Sequence, residues 1–329
     1  MTETGPEPLE VPVDGASLTV LSLGEWDAGG AGTVVAAHGI TGSGMSFATV
    51  ARHLPPGWRL LAPDLRGRGH SATAPGPYGL ENHASDICAV AAHCGGRVVL
   101  AGHSMGGFVA LLAAARRPEL VERLVLVDGG LPLPAPTGDD LDAALDATLG
   151  PAIARLRLTF PSRRAYLDFF RQHPALGPYW NADIEAYVAY DLTGEQGAMR
   201  SRVVEGAVRV DGRQLLGDAE SFGRALRGLT VPALVLTAPS GLFDEPPGFV
   251  PEDVVRRAGA YQPLLRAELV PGTNHYTILF DPRAAALVAR RLTDPSSWPP
   301  SPVGDAVSRR SRAASPAGAA DRRGRPRAA

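Results

Sequence analysis

Short apolar runs alternate with stretches of helical periodicity over most of the chain. The runs at 33–37, 59–62, 97–101, 123–127, 233–237 and 266–270 are rich in Val or Leu and are bounded by Gly, Pro or Asp. Unbroken apolarity over so few residues fits strands buried on both faces. Helical patterns at 47–53, 80–93, 105–116, 251–258 and 282–291 separate or follow them. Two further runs, 9–13 and 17–23, flank Asp14-Gly15, a hairpin turn signal. This order predicts the α/β class, with a mostly parallel central sheet covered by helices on both faces.

The alternation breaks once, after the run that ends at Val127. Residues 131–229 carry amphipathic pieces and a group of aromatics (Phe160, Tyr166, Phe169, Phe170, Tyr179, Trp180, Tyr187, Tyr190 and Phe222). A structureless loop of that length is not expected in a compact domain, so the stretch reads as a helical insertion over one sheet edge. The division is then a core of 1–130 and 230–295, an insertion of 131–229, and a tail of 296–329. The tail holds seven Arg and two Asp among Pro, Ala, Ser and Gly. It lacks apolar periodicity and is expected to be disordered. A solvated extension is the preferred reading of its charge, and no nucleic-acid partner is expected.

Composition narrows the chemistry. All 32 basic residues are Arg, because the 329-residue chain contains no lysine. That removes a phosphate-binding loop with its Lys, a Lys Schiff base and a Ser–Lys dyad. The two cysteines, Cys88 and Cys94, are six residues apart on a helical stretch, ~9 Å of rise, beyond disulfide reach. No metal-ligand spacing accompanies them, and neither a metal nor a cofactor is expected. No run approaches the ~20 apolar residues of a membrane span, and residues 1–9 lack a positive start and an apolar core. These features point to the cytoplasm and away from a membrane; oligomeric state stays open.

The strongest local signal is Gly102-His103-Ser104-Met105-Gly106-Gly107, between an apolar run and a helix. A serine on a sharp strand-to-helix turn is lifted clear of the sheet, with glycines where strand and helix crowd each other. A serine hydroxyl needs a base. His275, in Gly272-Thr273-Asn274-His275-Tyr276 just past the last apolar run, is the candidate. Such a base is oriented by a carboxylate. Asp244 and Asp128 both follow strand ends; Asp244 is preferred, since it gives the chain order Ser, Asp, His, although its loop is long. Acyl transfer also needs oxyanion donors, and the backbone N–H groups of Ile40, in His38-Gly39-Ile40-Thr41-Gly42, and of Met105 are the candidates. Asp64 and Arg66, in the turn at 63–71, read as loop braces rather than substrate contacts.

Four pieces together, His38-Gly39, the segment 64–71 (DLRGRGHS), Gly102-His103-Ser104-Met105-Gly106 and Gly272-Thr273-Asn274-His275-Tyr276, resemble the α/β-hydrolase superfamily in their order. The resemblance covers about 9–292. It implies a helical cap over the substrate and a serine nucleophile. The expected activity is cleavage of a carboxylic ester of a small, largely apolar substrate through an acyl-enzyme. Lactone, thioester and C–C bond hydrolysis, perhydrolysis, and a non-catalytic ligand-binding role stay open at this stage.

Overall fold

A computed structural model of the chain describes residues 7–24, 30–136 and 140–300. Eight strands form one twisted sheet: β1 (Glu7–Val13), β2 (Ala16–Leu23), β3 (Gly32–Ala37), β4 (Trp58–Pro63), β5 (Val98–His103), β6 (Val121–Val127), β9 (Ala233–Thr237) and β10 (Leu265–Leu269). A separate two-stranded ladder pairs β7 (Leu192–Thr193) with β8 (Arg200–Ser201). The sheet order is β1-β2-β4-β3-β5-β6-β9-β10. The β1–β2 hairpin and the β2–β4 pair are antiparallel, and every later pair is parallel.

Alternation along the strands explains why both faces are covered. Val35, Leu100, Leu124, Leu126 and Val235 turn toward α2 (Leu80–His93) and α3 (Met105–Arg116). Val34, Ala36, Val99, Val125 and Leu234 turn the other way, toward α1 (Ala48–Ala51), α10 (Thr277–Phe280) and α11 (Pro282–Thr293). The helix read at 47–53 is shorter than its pattern: a 3₁₀ turn over Gly44–Phe47 passes into α1. Cys88 and Cys94 are both free thiols, as their spacing requires.

The insertion carries α4 (Leu141–Arg155), α5 (Arg163–Phe170), α6 (Ala182–Tyr190), α7 (Glu205–Gly217) and α8 (Ala219–Arg227). Part of it has its own apolar centre, with Phe160, Tyr166, Leu176, Ile184 and Val188 packed together. Helices α4, α7 and α8 pack instead on the main core, through Leu145 and Ile153, Val208, and Phe222. Phe222 meets Phe108 of α3 edge-on at 4.8 Å, and Leu226 joins the main core beside α9 (Glu252–Tyr261).

The fold continues past α11. Pro295–Ser297 forms a 3₁₀ turn and Trp298 is buried, its indole N–H donating to the Arg291 carbonyl at 2.8 Å. Residues 296–300 thus belong to the folded body, while 301–329, with the Arg-rich part of the expected tail, lie outside the described residues. Among the described residues, no helix is long and apolar enough to cross a membrane.

Candidate active site

The turn after β5 holds Ser104 at φ 55° and ψ −125°. A non-glycine residue at positive φ is strained, and the surrounding packing must hold it there. That packing is close. A Cβ at Gly102 would lie 2.0 Å from the Gly106 carbonyl oxygen, and one at Gly106 would lie 2.0 Å from that of Ala37. Strand β5, helix α3 and strand β3 meet here at distances only glycine allows, and the Ser104 side chain is left facing a cavity.

That cavity, of about 160 Å³, is lined by Ser104 and His275 together with Gly39, Ile40, Leu145 and Phe249. His275 follows β10 through a short loop and is 2% exposed. Its Nδ1 lies 2.6 Å from Asp128 Oδ2. The other carboxylate oxygen of Asp128 accepts the Ala238 N–H at 3.1 Å. Asp128 is fully buried, at φ 45°, directly after β6. The His275 ring is walled by Phe249, His103 and Tyr276, with ring centroids 4.6, 4.8 and 5.5 Å away.

The carboxylate at His275 is therefore that of Asp128, and the preference for Asp244 is corrected. Asp244 accepts from the Tyr179 hydroxyl at 2.8 Å and from Asn274 Nδ2 at 3.1 Å. The reason is topological. Strand β6 lies between β5 and β9, so a residue at its C-terminal end is already beside the serine turn, where the Ser104 N–H donates to the Val127 carbonyl at 3.0 Å. Asp244 lies seven residues beyond the end of β9, on a loop drawn outward to the insertion.

The loop after β3 is fixed from behind. His38 Nε2 accepts the Leu65 N–H at 3.0 Å, so the proton sits on Nδ1 and is donated to the Gly39 carbonyl at 2.7 Å. Gly42 N–H donates to the same carbonyl at 2.9 Å. In a trans peptide the N–H opposes the carbonyl. Tying down Gly39 O thus directs the Ile40 N–H away from both donors, and Gly39 itself packs on Ser104, where an added Cβ would stand 3.3 Å from the serine Cβ. Among the described residues neither the Ile40 nor the Met105 N–H has a hydrogen-bond acceptor. Arg68 holds the far side of the loop, Nε donating to Ile40 O at 3.0 Å.

His38 and His103 are held neutral: burial, against the pull of the Gly39 carbonyl, lowers His38 to about 3, and burial with the field of His275 lowers His103 to about 3. His103 Nε2 meets the His275 carbonyl at 2.7 Å and so positions the residue it neighbours. An imidazole neutral in the fold but protonated when unfolded stabilises fully above pH 6.5, and that stability is lost as the pH falls from 6.5 toward 3. His103→Asn is expected to flatten the pH dependence of unfolding free energy by about 1.4 kcal/mol per pH unit between pH 6 and 4. Urea unfolding at stepped pH checks this; equal slopes in the two proteins would contradict it.

Asp64 and Arg66 hold the neighbouring turn. Asp64 accepts from Gly44 N–H, His70 N–H and the Tyr190 hydroxyl, and burial still pushes its carboxyl above the ordinary range. Arg66 forks onto Asp86 at 2.7 and 2.8 Å. Neither lines the cavity. A network not anticipated from sequence joins this turn to α7. Fully buried Arg68 pairs with fully buried Asp211 at 2.5 Å, and Asp211 also accepts from His83 and Gly79 N–H at 2.9 and 2.7 Å. Among the described residues, no group of three or more His, Cys, Asp or Glu is arranged to hold a metal ion.

A family profile described as the alpha/beta hydrolase fold matches residues 32–165. Lipase LipV of Mycobacterium tuberculosis is 39% identical over 121 residues, which is 36% of this chain and 44% of the lipase. A putative esterase/lipase of Haemophilus influenzae is 37% identical over 92 residues, 28% of this chain and 32% of that protein. The chain thus spans less than half the length of these two relatives. The 2-(acetamidomethylene)succinate hydrolase of Mesorhizobium japonicum is 26% identical over 243 residues, 73% of this chain and 80% of that one. A crystal structure of an E-2-(acetamidomethylene)succinate hydrolase superposes with TM-score 0.71 at 22% identity, covering 88% of this chain and all of that one.

Proposed function

We propose that this chain, which has the alpha/beta hydrolase fold, is a serine hydrolase cleaving a carboxylic ester, with Ser104 as nucleophile, His275 as base and Asp128 as the orienting acid. The observation that carries this is the 2.6 Å contact between His275 Nδ1 and Asp128 at the wall of the cavity that Ser104 faces. The relatives named as lipases, esterases and hydrolases support the same reaction class.

The chemistry follows from the atoms. Asp128 Oδ2 keeps the imidazole proton on Nδ1, so Nε2 is free to take the Ser104 proton as Oγ attacks the ester carbonyl. Negative charge develops on the carbonyl oxygen, and the Ile40 and Met105 N–H groups are the donors for it. His275 returns the proton to the departing alcohol, leaving an acyl group on Ser104. A water deprotonated by His275 then releases the acid and restores the hydroxyl. Leu133, Leu145, Leu149, Leu216 and Phe249 give this chamber an apolar lining suited to a hydrocarbon-bearing group.

The test is covalent capture. A fluorophosphonate probe is expected to label the full chain stoichiometrically, with the adduct on the peptide containing Ser104, and Ser104→Ala is expected to stay unlabelled while folding normally. A folded wild type that neither labels nor turns over p-nitrophenyl esters would refute the reading and favour a ligand-binding role.

A further inference from the structure

The Ser104 chamber adjoins a second cavity of about 200 Å³, and Thr41, Leu149, Ala152, Tyr187 and Tyr276 are among the walls they share. Most of the second chamber is apolar, formed by Phe169, Phe170, Leu176 and Val188 among others. One cation stands in its wall. Arg155, the last residue of α4, is only 5% exposed. Its Nη1 is spoken for, meeting the Tyr166 hydroxyl at 2.7 Å and Asp191 Oδ2 at 2.9 Å. Phe170 covers one face of the guanidinium at 4.9 Å. Nε and Nη2 bond to no described residue, yet neither is among the sealed, partnerless atoms of the interior. Arg155 lines the chamber, and Nε and Nη2 are the atoms of its fork that no described residue engages.

A second donor stands in the same wall. His173 Nδ1 accepts the Ala175 N–H at 3.2 Å, which leaves the ring proton on Nε2, and no described residue receives it. Burial, with the nearby Arg155 charge, lowers this ring's pKa below the ordinary imidazole value. Asp191 shares the wall, but its lone pairs are directed into protein. It accepts from the Tyr166 hydroxyl at 2.5 Å, the Ser201 hydroxyl at 2.7 Å and the Arg202 N–H at 3.2 Å, besides Arg155. With its charge dispersed over four donors, Asp191 leaves the outer edge of Arg155 without an acceptor. A buried guanidinium edge without an acceptor is costly, and a planar fork of N–H groups matches a carboxylate in shape and charge.

We propose that the second chamber is a carboxylate subsite, so that the preferred substrate carries a free carboxylate remote from the scissile ester, held by Arg155 Nε and Nη2 and by His173 Nε2. This rests on the hydrolase reading of Ser104 for the reaction but on different residues for the binding.

The experiment compares matched pairs in the wild type. Monomethyl succinate, glutarate and adipate, and O-acetyl hydroxy acids of the same chain lengths, are each measured against their neutral methyl esters. At least one length is expected to show kcat/KM about 10- to 100-fold above its neutral partner, the range of a charged hydrogen-bonded contact. Arg155→Met is expected to collapse that ratio toward one, and His173→Phe to reduce it several-fold. A wild-type ratio of one or below at every length overturns the subsite without recourse to any variant, so a failure of Arg155→Met to fold does not protect the proposal. An unchanged ratio in a folded Arg155→Met also overturns it. If no ester of either kind is hydrolysed, the hydrolase reading fails by itself. The subsite is then decided by calorimetric titration with glutarate: binding by wild type that weakens in His173→Phe supports it, and absence of binding overturns it.

Discussion

Asp128→Asn is expected to lower kcat for ester cleavage ~10⁴-fold, while Asp244→Asn leaves it within about threefold. The difference follows from which atoms each carboxylate serves. Asp128 Oδ1 accepts the Ala238 N–H, so an asparagine at 128 keeps its carbonyl oxygen on that side. Its amide NH₂ must then face His275 Nδ1, where Oδ2 stood at 2.6 Å. Two donors cannot share that contact, so Nδ1 becomes the acceptor and the ring proton moves to Nε2. The imidazole is then in the wrong tautomer to take a proton from Ser104. Asp244 serves Tyr179 and Asn274 Nδ2, and an amide at that position can still accept from either. Initial rates at saturating ester, with thermal unfolding to show that both variants are folded, separate the two. A collapse in Asp244→Asn with Asp128→Asn nearly intact would overturn the assignment.

This pair also marks where sequence reading reached and where it stopped. Strand runs such as 123–127 and 233–237 were legible because strands buried on both faces must be continuously apolar, and each is found as a strand over nearly those bounds. Ser104 was legible because only glycines can stand where Gly102 and Gly106 do. The choice between Asp128 and Asp244 was not legible, because it depends on strand order in space. Both residues follow a strand and both adopt positive φ. Only the adjacency of β6 to β5 brings one of them to the serine turn. The loop length before Asp244 was the available signal, and it pointed away from that residue. The Arg68–Asp211 contact was out of reach for a related reason: its partners are 143 residues apart in sequence, and nothing in a lone Arg or a lone helical Asp announces burial.

Asp211→Ala is expected to destabilise the protein by about 3–5 kcal/mol, the cost of stranding a buried charge. Arg68 is 0% exposed and, among the described residues, its guanidinium meets only the carbonyls of Ile40 and Arg66, both at 3.0 Å, besides Asp211. Burial pushes the Asp211 carboxyl up, but the Arg68 charge and the His83 hydrogen bond outweigh it and hold the group below the ordinary range. The carboxylate is thus the counter-charge that lets Arg68 stay buried. Removing it also strips the acceptor from His83 Nε2 and from Gly79 N–H. The loss is a large share of the ~5–15 kcal/mol typical of a folded domain. If the cost is that of the stranded charge, Arg68→Met combined with Asp211→Leu should recover at least half of it, because a buried ion pair exchanged for apolar groups of similar volume is close to neutral. Equilibrium urea unfolding of the single and double variants measures both numbers. A single-variant loss below about 1 kcal/mol, or a double variant no more stable than Asp211→Ala, would show that the pair is not what ties α7 to the turn beside Ile40.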